Sequence, residues 1–538
     1  MRLPARLGLD RFEAALLALF AAMSMSVLAA LATRPLAMTG ADGGLVADQL
    51  QYFAWIRSAS EHGVIHNLFD IHPAGTAYFV HPGFLISGLL HRAGLGIALS
   101  YQLIWKPVAI VALFAAFLAY VRRLLPAGLG RRVALVLALF YVSPLAALIG
   151  LPALGPERLR QKVDFLSGEL FPGLYMWGYM MTAIAVALVP FVLLMAERAR
   201  VPERRAAGRG AGWYAGWAAA GTLLMGWLQP WQAVATMATV AGVELLCWRR
   251  ARRVELGLSL RALGPLLVAG VLPLVYYWWM AKVDPSWELA GNANRNRVGN
   301  WPWYAWVLGV LPVALPAALA YRLPAPDWQS LAVRVLPLAM VAEYVLIGAT
   351  GAGTFPFHSV QGMTLPLAVL AVTGVASLRL RGRLASPAVA WAAVLLLTLP
   401  GVAYKLDRIR IEEHKGGQPY FLKPGEEAAF DWLERSPVRG GVMAPIYSGL
   451  AVPYRTGRES WVGEVSWTPG YDRRVAQARA LFSGRLSRPR ALALVRGARV
   501  RFLYSDCLKR ADLEPLLRGH LAVVRRFGCA TVYQLRDG

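Results

Sequence analysis

The chain has 538 residues, of which 57% are hydrophobic and only 16% are charged, and its formal net charge is +25. Long apolar runs recur from residue 14 to residue 404, which excludes a set of ordinary soluble domains and indicates a polytopic membrane protein. Arginine stands in short clusters between these runs, so the positive charge indicates membrane topology and we expect no nucleic-acid partner.

The apolar runs set the number of membrane spans, because a helix of about 20 residues crosses a bilayer. Runs of this length lie at 14–33, 99–121, 133–152, 171–196, 262–281, 303–321, 332–350, 361–378 and 385–404. Residues 213–247 are too long for one span, and Gln229-Pro230 is a natural turning point because proline does not continue a helix interior. Two short helices there bring the expected total to about eleven spans.

Basic clusters assign the loops to the two sides of the membrane, since cytoplasmic loops are rich in arginine and lysine. The clusters occupy alternate loops and include Arg2, Arg6, Arg11, Arg122, Arg123, Arg131, Arg132, Arg204, Arg205, Arg209, Arg249, Arg250, Arg252, Arg253, Arg322, Arg334, Arg379, Arg381 and Arg383. With an odd number of spans, this pattern predicts a cytoplasmic N-terminus. It also predicts that the loop at 41–82 and the C-terminal region both lie outside the cytoplasm.

Residues 405–538 differ from the transmembrane domain predicted at 1–404, because they are polar and their apolar runs are short. Strand-like runs at 441–444, 500–504, 521–524 and 530–535 alternate with helix-like stretches, which predicts a small extracytoplasmic α/β domain. Cys507 and Cys529 both fall in this domain, where an oxidising compartment would allow a disulfide. Bridged and unbridged forms both stay open, since the sequence does not give the Cα separation.

The loop at 41–82 gathers acidic, histidine and aromatic residues. Asp48, Tyr52 and Trp55 have helical spacing, with Asp48 near the start of the helix. An N-cap would by itself explain this aspartate, but acids at a membrane rim are uncommon and often functional. Asp48 is therefore the candidate catalytic base, and Asp42, in a turn-like context beside glycine, is the second candidate.

Other polar residues in predicted outward loops and helix ends are candidates for binding a substrate or its phosphate. Arginine suits phosphate because its guanidinium presents a planar fork, although a solvated loop is the alternative for each one. Lys106 could equally extend to lipid headgroups. No histidine pair has ligand spacing, so no structural metal site is predicted. The candidate binding residues are Tyr52, Arg57, His81, Lys106, Asp164, Glu169, Gln229, Arg295, Arg297, His358 and Gln361.

Several features of the chain occur together in one known superfamily. They are the acid in a long first outer loop, the many spans, the helix pair broken at WLQPW (227–231), the glycine-rich outer turn ending TFPFH (354–358), and the outer C-terminal domain. This layout resembles the GT-C superfamily of integral-membrane glycosyltransferases. The segment VPYRTGRESWVGEVSWTP (452–469) is similar to the corresponding part of uncharacterised bacterial members.

The resemblance implies inverting transfer of a sugar from a polyprenyl-phosphate donor to an acceptor at the outer face of a bacterial inner membrane. It implies that Asp48 takes the acceptor proton and that a lipid phosphate leaves. The partners it implies are membrane lipids, the lipid-linked sugar and an envelope glycan, lipid or protein acceptor. No cofactor is expected besides the donor; a divalent metal would be compatible but is not predicted.

Three other functions stay open. A transporter or flippase for a lipid-linked sugar predicts inverted repeats with paired broken helices, and the sequence contains one visible broken pair. A non-catalytic envelope membrane protein would tolerate loss of Asp48. An en bloc oligosaccharide transferase of similar architecture would use a metal and several acids, for which Asp42, Asp48, Asp164 and Glu169 are available.

Overall fold

The computed structural model describes residues 8–71, 79–150, 157–251, 256–297, 301–350, 354–413 and 417–536. Its helices up to residue 413 are α1 Arg11–Ala32, α2 Val46–His62, α3 Pro82–Arg92, α4 Ile97–Leu124, α5 Leu129–Phe140, α6 Pro144–Gly150, α7 Glu157–Leu170, α8 Pro172–Met176, α9 Met180–Arg200, α10 Ala211–Leu228, α11 Pro230–Ala251, α12 Leu256–Val283, α13 Pro285–Arg297, α14 Trp303–Leu319, α15 Trp328–Thr350, α16 Thr364–Ser377 and α17 Pro387–Glu413. The later helices are α18 Pro424–Arg435, α19 Ile446–Thr456, α20 Tyr471–Phe482, α21 Arg488–Ala498 and α22 Glu514–Leu517. The strands are β1 Ala37–Met38, β2 Phe421–Leu422, β3 Val442–Met443, β4 Phe502–Ser505, β5 Leu521–Phe527 and β6 Ala530–Leu535.

Within the described residues, 8 helices are long and apolar enough to cross a membrane, so the chain is a multi-pass membrane protein. These segments are Arg11–Ala32, Ile97–Leu124, Leu129–Leu148, Met180–Arg200, Ser259–Val283, Trp303–Ala320, Trp328–Thr350 and Pro387–Arg410. The remaining predicted spans also form helices. The run at 361–378 forms the shorter helix α16, and the run at 213–247 forms α10 and α11.

The predicted break at Gln229-Pro230 is confirmed. Helix α10 ends at Leu228, Gln229 has an extended backbone with φ −154° and ψ 98°, and Pro230 begins α11. The cause is local, because a residue that precedes proline is sterically kept out of the helical region. The Gln229 backbone N–H still donates to Met225 at 2.7 Å, so the last turn of α10 is complete.

One compact unit contains Met1–Ser26, Lys106–Tyr277 and Val298–Ile409. Its helices pack closely where small residues allow it: a Cβ at Gly374 of α16 would lie 2.1 Å from the carbonyl oxygen of Pro316 in α14. At the helix ends, Arg123 forms ion pairs with Glu197 and Asp327, which ties α4 to α9 and to the residue preceding α15. Paired in this way, the buried Glu197 carboxylate has a compensating charge.

The second compact unit contains Val27–Trp105, Trp278–Arg297 and Arg410–Gly538. Its four-stranded sheet has the order β3-β4-β6-β5, with β3 parallel to β4 and the other neighbours antiparallel. Apolar side chains of the strands and of α20 and α21 form one core, which includes Leu503, Tyr533, Leu481 and Val495. The predicted small α/β domain near the C-terminus is therefore confirmed, while its boundary at residue 405 stays a prediction.

The first loop and the C-terminal residues belong to this same unit through hydrogen bonds. Strand β1 pairs with β2 in the register Ala37↔Leu422 and Met38↔Phe421. The Tyr420 hydroxyl donates to the Gly43 carbonyl at 2.6 Å. These bonds give the irregular loop backbone the partners that buried peptide groups require.

Cys507 and Cys529 form a disulfide, with their Cα atoms 4.9 Å apart. The bond joins the residues that follow β4 to the turn between β5 and β6. This separation lies inside the range that disulfide geometry allows, and it decides between the two forms that the sequence left open.

Candidate functional site

Asp48 lies in the first turn of α2 and is partly buried. The N-cap residue of this helix is Leu45, which has no side-chain capping bond, so the capping explanation of Asp48 does not hold. The first turn of a helix favours an ionised carboxylate because unpaired N–H groups and the helix dipole point toward it. Asp48 therefore lies at the end of the helix whose dipole favours a negative charge.

Glu464 is a second carboxyl group near Asp48, and no function was predicted for it. The side chain is only 3% exposed, and its Oε2 accepts the backbone N–H groups of Ser466 at 2.6 Å and Trp467 at 3.1 Å. Burial, and then the charge of Asp48, raise the pKa of Glu464 to about 8. The two carboxyl groups therefore interact, although they are far apart in the sequence.

Aromatic rings pack between the helix that carries Asp48 and the turn that carries Glu464. Trp467 contacts Trp55 and Trp287 edge to face, with ring centroids 5.4 Å and 5.3 Å away. Tyr52 stacks on Phe84 at 5.1 Å, so Tyr52 and Trp55 form an aromatic face on the helix that carries Asp48. Burial raises the pKa of Glu464 because surroundings of low polarity disfavour the charged carboxylate.

Asp42, which lies in the loop beside Gly43, is completely buried. Its Oδ1 accepts Nε2 of Gln102 at 3.1 Å, and its backbone N–H donates to Oε1 of Gln49 at 2.8 Å. Gln102 also donates to the Gly40 carbonyl at 3.0 Å. These contacts give Asp42 a role in fixing the loop before α2, and its candidacy as a second base stays a prediction.

Arg57 and His81 already have protein partners. Arg57 forms ion pairs with Glu61 and Glu434, the latter at 2.8 Å. His81 precedes α3 and stacks on Phe84, with ring centroids 4.2 Å apart. A phosphate would have to compete with the two carboxylates for Arg57, whereas the ring of His81 is stacked on Phe84.

Three predicted residues of the first compact unit form a second polar group, here called the Glu169 cluster: Glu169, His358 and Gln361. Oε2 of Glu169 accepts Nε2 of Gln361 at 2.6 Å and lies 3.2 Å from Nδ1 of His358. The His358 ring packs edge to face on Trp231 at 4.8 Å. Glu169 is only 4% exposed, so these bonds compensate for its burial.

The other predicted binding residues of this unit make separate contacts. The fully buried Lys106 donates from Nζ to the Met176 carbonyl at 2.7 Å. Asp164 forms an ion pair with Lys405. Gln229 donates from Nε2 to Oγ1 of Thr182 at 2.7 Å.

Arg295 and Arg297 are in α13, but their side chains lie outside the described residues. Their predicted contact with a phosphate is therefore untested. Over the part of the chain that the structure describes, no group of three or more His, Cys, Asp or Glu side chains could hold a metal ion.

Comparison with solved structures identifies the fold. Archaeal oligosaccharyltransferase AglB from Archaeoglobus fulgidus, in complex with an inhibitory peptide and a dolichol-phosphate, matches with a TM-score of 0.55 and 12% identity over 92% of this chain and 69% of that chain. ArnT from Cupriavidus metallidurans bound to undecaprenyl phosphate matches with a TM-score of 0.51 and 11% identity over 96% of this chain and 97% of that chain. No protein-family model and no curated protein sequence matches the chain. The chain shares the fold of these two solved structures, which agrees with the fold that its layout predicts.

Proposed function

We propose that this multi-pass membrane protein, which has the GT-C fold, transfers a sugar from a polyprenyl-phosphate carrier to an acceptor hydroxyl. The observation that carries the proposal is the partly exposed Asp48 carboxylate, held beside Glu464 and an aromatic face in a chain of this fold. The similar structures of AglB and ArnT contain dolichol-phosphate and undecaprenyl phosphate, whose shared chemistry is a phosphorylated polyprenol. These bound molecules support our choice of a polyprenyl-phosphate sugar as the donor for this chain.

In the proposed reaction, Asp48 accepts the proton of the acceptor hydroxyl. The acceptor oxygen attacks the anomeric carbon and forms the new glycosidic bond. The bond between that carbon and the phosphate oxygen breaks, and its electron pair leaves with the lipid phosphate. One displacement inverts the anomeric configuration, and the proton ends on Asp48.

Cations and hydrogen-bond donors would stabilise the departing phosphate. The predicted phosphate-binding residues with described side chains are Arg57, Lys106 and His358. Arg295 and Arg297 are also predicted, and their side chains lie outside the described residues. Each is a separate proposal that requires its own test. Charge reversal at Arg295 should raise the KM for the donor more than that for the acceptor.

The proposed site of action is the outer face of a bacterial inner membrane, with an envelope glycan, lipid or protein as acceptor. The Cys507–Cys529 disulfide supports this side, because such bonds persist in oxidising compartments. The arginine clusters in alternate loops support the same orientation, because cytoplasmic loops are rich in arginine and lysine.

The experiment that tests the proposal incubates membranes containing the full chain with labelled polyprenyl-phosphate monosaccharides and oligosaccharides. We expect release of the lipid phosphate and appearance of label in an acceptor, both abolished in Asp48→Asn at unchanged expression. Asp472→Asn, an exposed acid on α20 of the same compact unit, is the matched control and should keep full activity. Normal transfer by Asp48→Asn would reject the base, and carrier movement without transfer would favour the flippase.

A further inference from the structure

The end of the chain carries much of its positive charge. Residues 471–538 contain 15 Arg and Lys against 5 Asp and Glu, a formal charge of +10, whereas residues 405–470 contain 9 of each and are neutral. Membrane topology does not explain this charge, because the positive-inside rule concerns cations close to the spans and the last membrane helix ends at Arg410. The concentration of arginine after residue 470 therefore needs another reason.

Several of these cations gather around the turn that follows α22. We call the group the Arg518 patch; its members are Arg488, Arg496, Arg518, His520 and Arg536. Nη2 of Arg488 donates to the Arg518 carbonyl at 2.8 Å, and Nη2 of Arg496 lies 3.4 Å from Nε2 of His520. The backbone N–H of Arg536 donates to the His520 carbonyl at 2.9 Å. Helix α21, the turn and the residue after β6 thus bring four arginines to one part of the surface.

The four arginines of the patch are exposed, and within the described residues none of them forms an ion pair with a carboxylate. Glu514, the acid just before the turn, pairs with Arg526 instead. The Asp512 carboxylate accepts the backbone N–H of Glu514 at 3.0 Å. Because neighbouring cations repel one another, a bound anion would lower the electrostatic energy of this surface.

We propose that the Arg518 patch docks an acidic glycan, meaning a sugar polymer that carries carboxylate or phosphate groups along its length. Arginine suits such groups because its planar fork can donate two parallel hydrogen bonds to them. The surface between the arginines is open, since a Cβ at Gly497 or Gly519 would meet nothing within 4 Å. A polymer can engage several arginines at once, which compensates for the weakness of each exposed charge pair.

A lipid surface or a nucleic acid would offer similar anionic groups, but two observations favour the glycan. Surfaces that insert into membranes combine cations with large apolar side chains. Among the described residues after 470, Leu508 is the one large hydrophobic residue that is exposed. The Cys507–Cys529 disulfide indicates an oxidising compartment outside the cytoplasm, where a nucleic acid is not the expected partner.

The test measures binding of labelled polygalacturonate to the full chain in detergent, with dextran as the uncharged polymer. We expect saturable binding that weakens as salt is added, because exposed charges are screened, and no binding of dextran. Arg488→Gln with Arg496→Gln should raise the Kd about tenfold. Arg488→Lys with Arg496→Lys keeps the charges but loses the forks, so the Kd should rise only about threefold.

The matched control is Arg435→Gln with Arg439→Gln, which removes the same charge from two exposed arginines outside the patch. It should change the Kd less than about twofold, because charges distant from the bound polymer are screened. Since all the replaced side chains are exposed, the Tm of each variant should stay unchanged. Equal weakening in the control pair and the patch pair would overturn the patch as the binding surface.

Competition decides the class of partner. Duplex DNA, or vesicles containing phosphatidylglycerol, might be bound more tightly than polygalacturonate at equal concentrations of anionic groups and about 0.15 M salt. Either result would overturn the glycan. The proposal does not rest on the proposed reaction, so Asp48→Asn should bind polygalacturonate as the unmodified protein does. A chain that binds the polymer but transfers sugar from no donor would overturn the proposed function and leave the patch standing.

Discussion

Nδ1 of His358 lies 3.2 Å from Oε2 of Glu169, although the two residues are separated by 189 positions. Gln361 donates to the same oxygen, so one buried carboxylate orients both an imidazole and an amide. A ring held in this way presents a fixed direction to a ligand.

Glu169→Gln should therefore reduce transfer, although glutamine and glutamate have nearly the same volume. The amide keeps the volume but loses the charge-assisted bonds, so we expect kcat/KM to fall about tenfold and stability by about 1–3 kcal/mol. Steady-state kinetics and the Tm of the purified protein measure the two effects. Glu244→Gln, which loses an ion pair with Arg200 in the same unit, is the control for a general loss of stability. Unchanged kinetics in Glu169→Gln would remove the Glu169 cluster from the site.

Lys106 combines a buried hydrogen bond with a charge, and two variants separate these properties. Lys106→Met leaves the Met176 carbonyl without its donor and should cost about 1–3 kcal/mol of stability. Lys106→Gln can keep the bond but has no charge. If Lys106 contacts the donor phosphate, Lys106→Gln should restore the Tm yet show a raised KM for donor. Full activity in Lys106→Gln would assign the lysine a structural role alone.

Arg474 holds the first loop through Asp70. Its guanidinium lies 3.2 Å from the Asp70 carboxylate, donates to the Trp461 carbonyl at 2.9 Å and lies over the Trp461 ring. Both charged side chains are mostly buried, so a double-mutant cycle of Arg474→Met and Asp70→Asn should give a coupling of about 1–3 kcal/mol. Denaturation of the four proteins in the same detergent measures it. Additive effects would mean that the pair contributes nothing beyond its packing.

The disulfide closes a loop with a sequence separation of 22, and its removal should lower stability by about 3 kcal/mol on the chain-entropy estimate. Cys507→Ser with Cys529→Ser should lower the Tm and make it insensitive to reductant. Cys247 is a free cysteine in α11, so Cys247→Ser is the matched control and should leave the reductant response intact. The same Tm in reduced and oxidised unmodified protein would contradict this expectation.

The sequence predicts well whatever depends on neighbouring residues. The break at Gln229 follows from the proline beside it, and the helix that carries Asp48 follows from the spacing of Tyr52 and Trp55. The lengths of the apolar runs likewise predict where the membrane helices form. These features depend on backbone sterics and periodicity, which a single sequence contains.

The features that were not predicted from the sequence depend on packing between residues that are far apart in the chain. Glu464 stands in a polar segment, and its burial becomes visible only when Trp55 and Trp287 pack on Trp467. A signal was present, because Trp461 and Trp467 flank the acid. Glu169 and His358 were each candidates, but their pairing requires the contact between α7 and the residues before α16. The burial of Asp42 against Gln102 has no local pattern, so its turn-like context did not reveal it.

The pairing of β1 with β2 has a consequence for biosynthesis. The Thr39 hydroxyl donates to the Pro419 carbonyl across a separation of 380 residues, so one side of this contact leaves the ribosome long before the other. At a translation rate of about 5–20 residues per second, the delay is roughly 20–80 s. During that interval the early segment lacks its late partner, and proteases or chaperones at the translocon can reach it. Quality control of the nascent polypeptide would therefore act most strongly before the last quarter of the chain has been made.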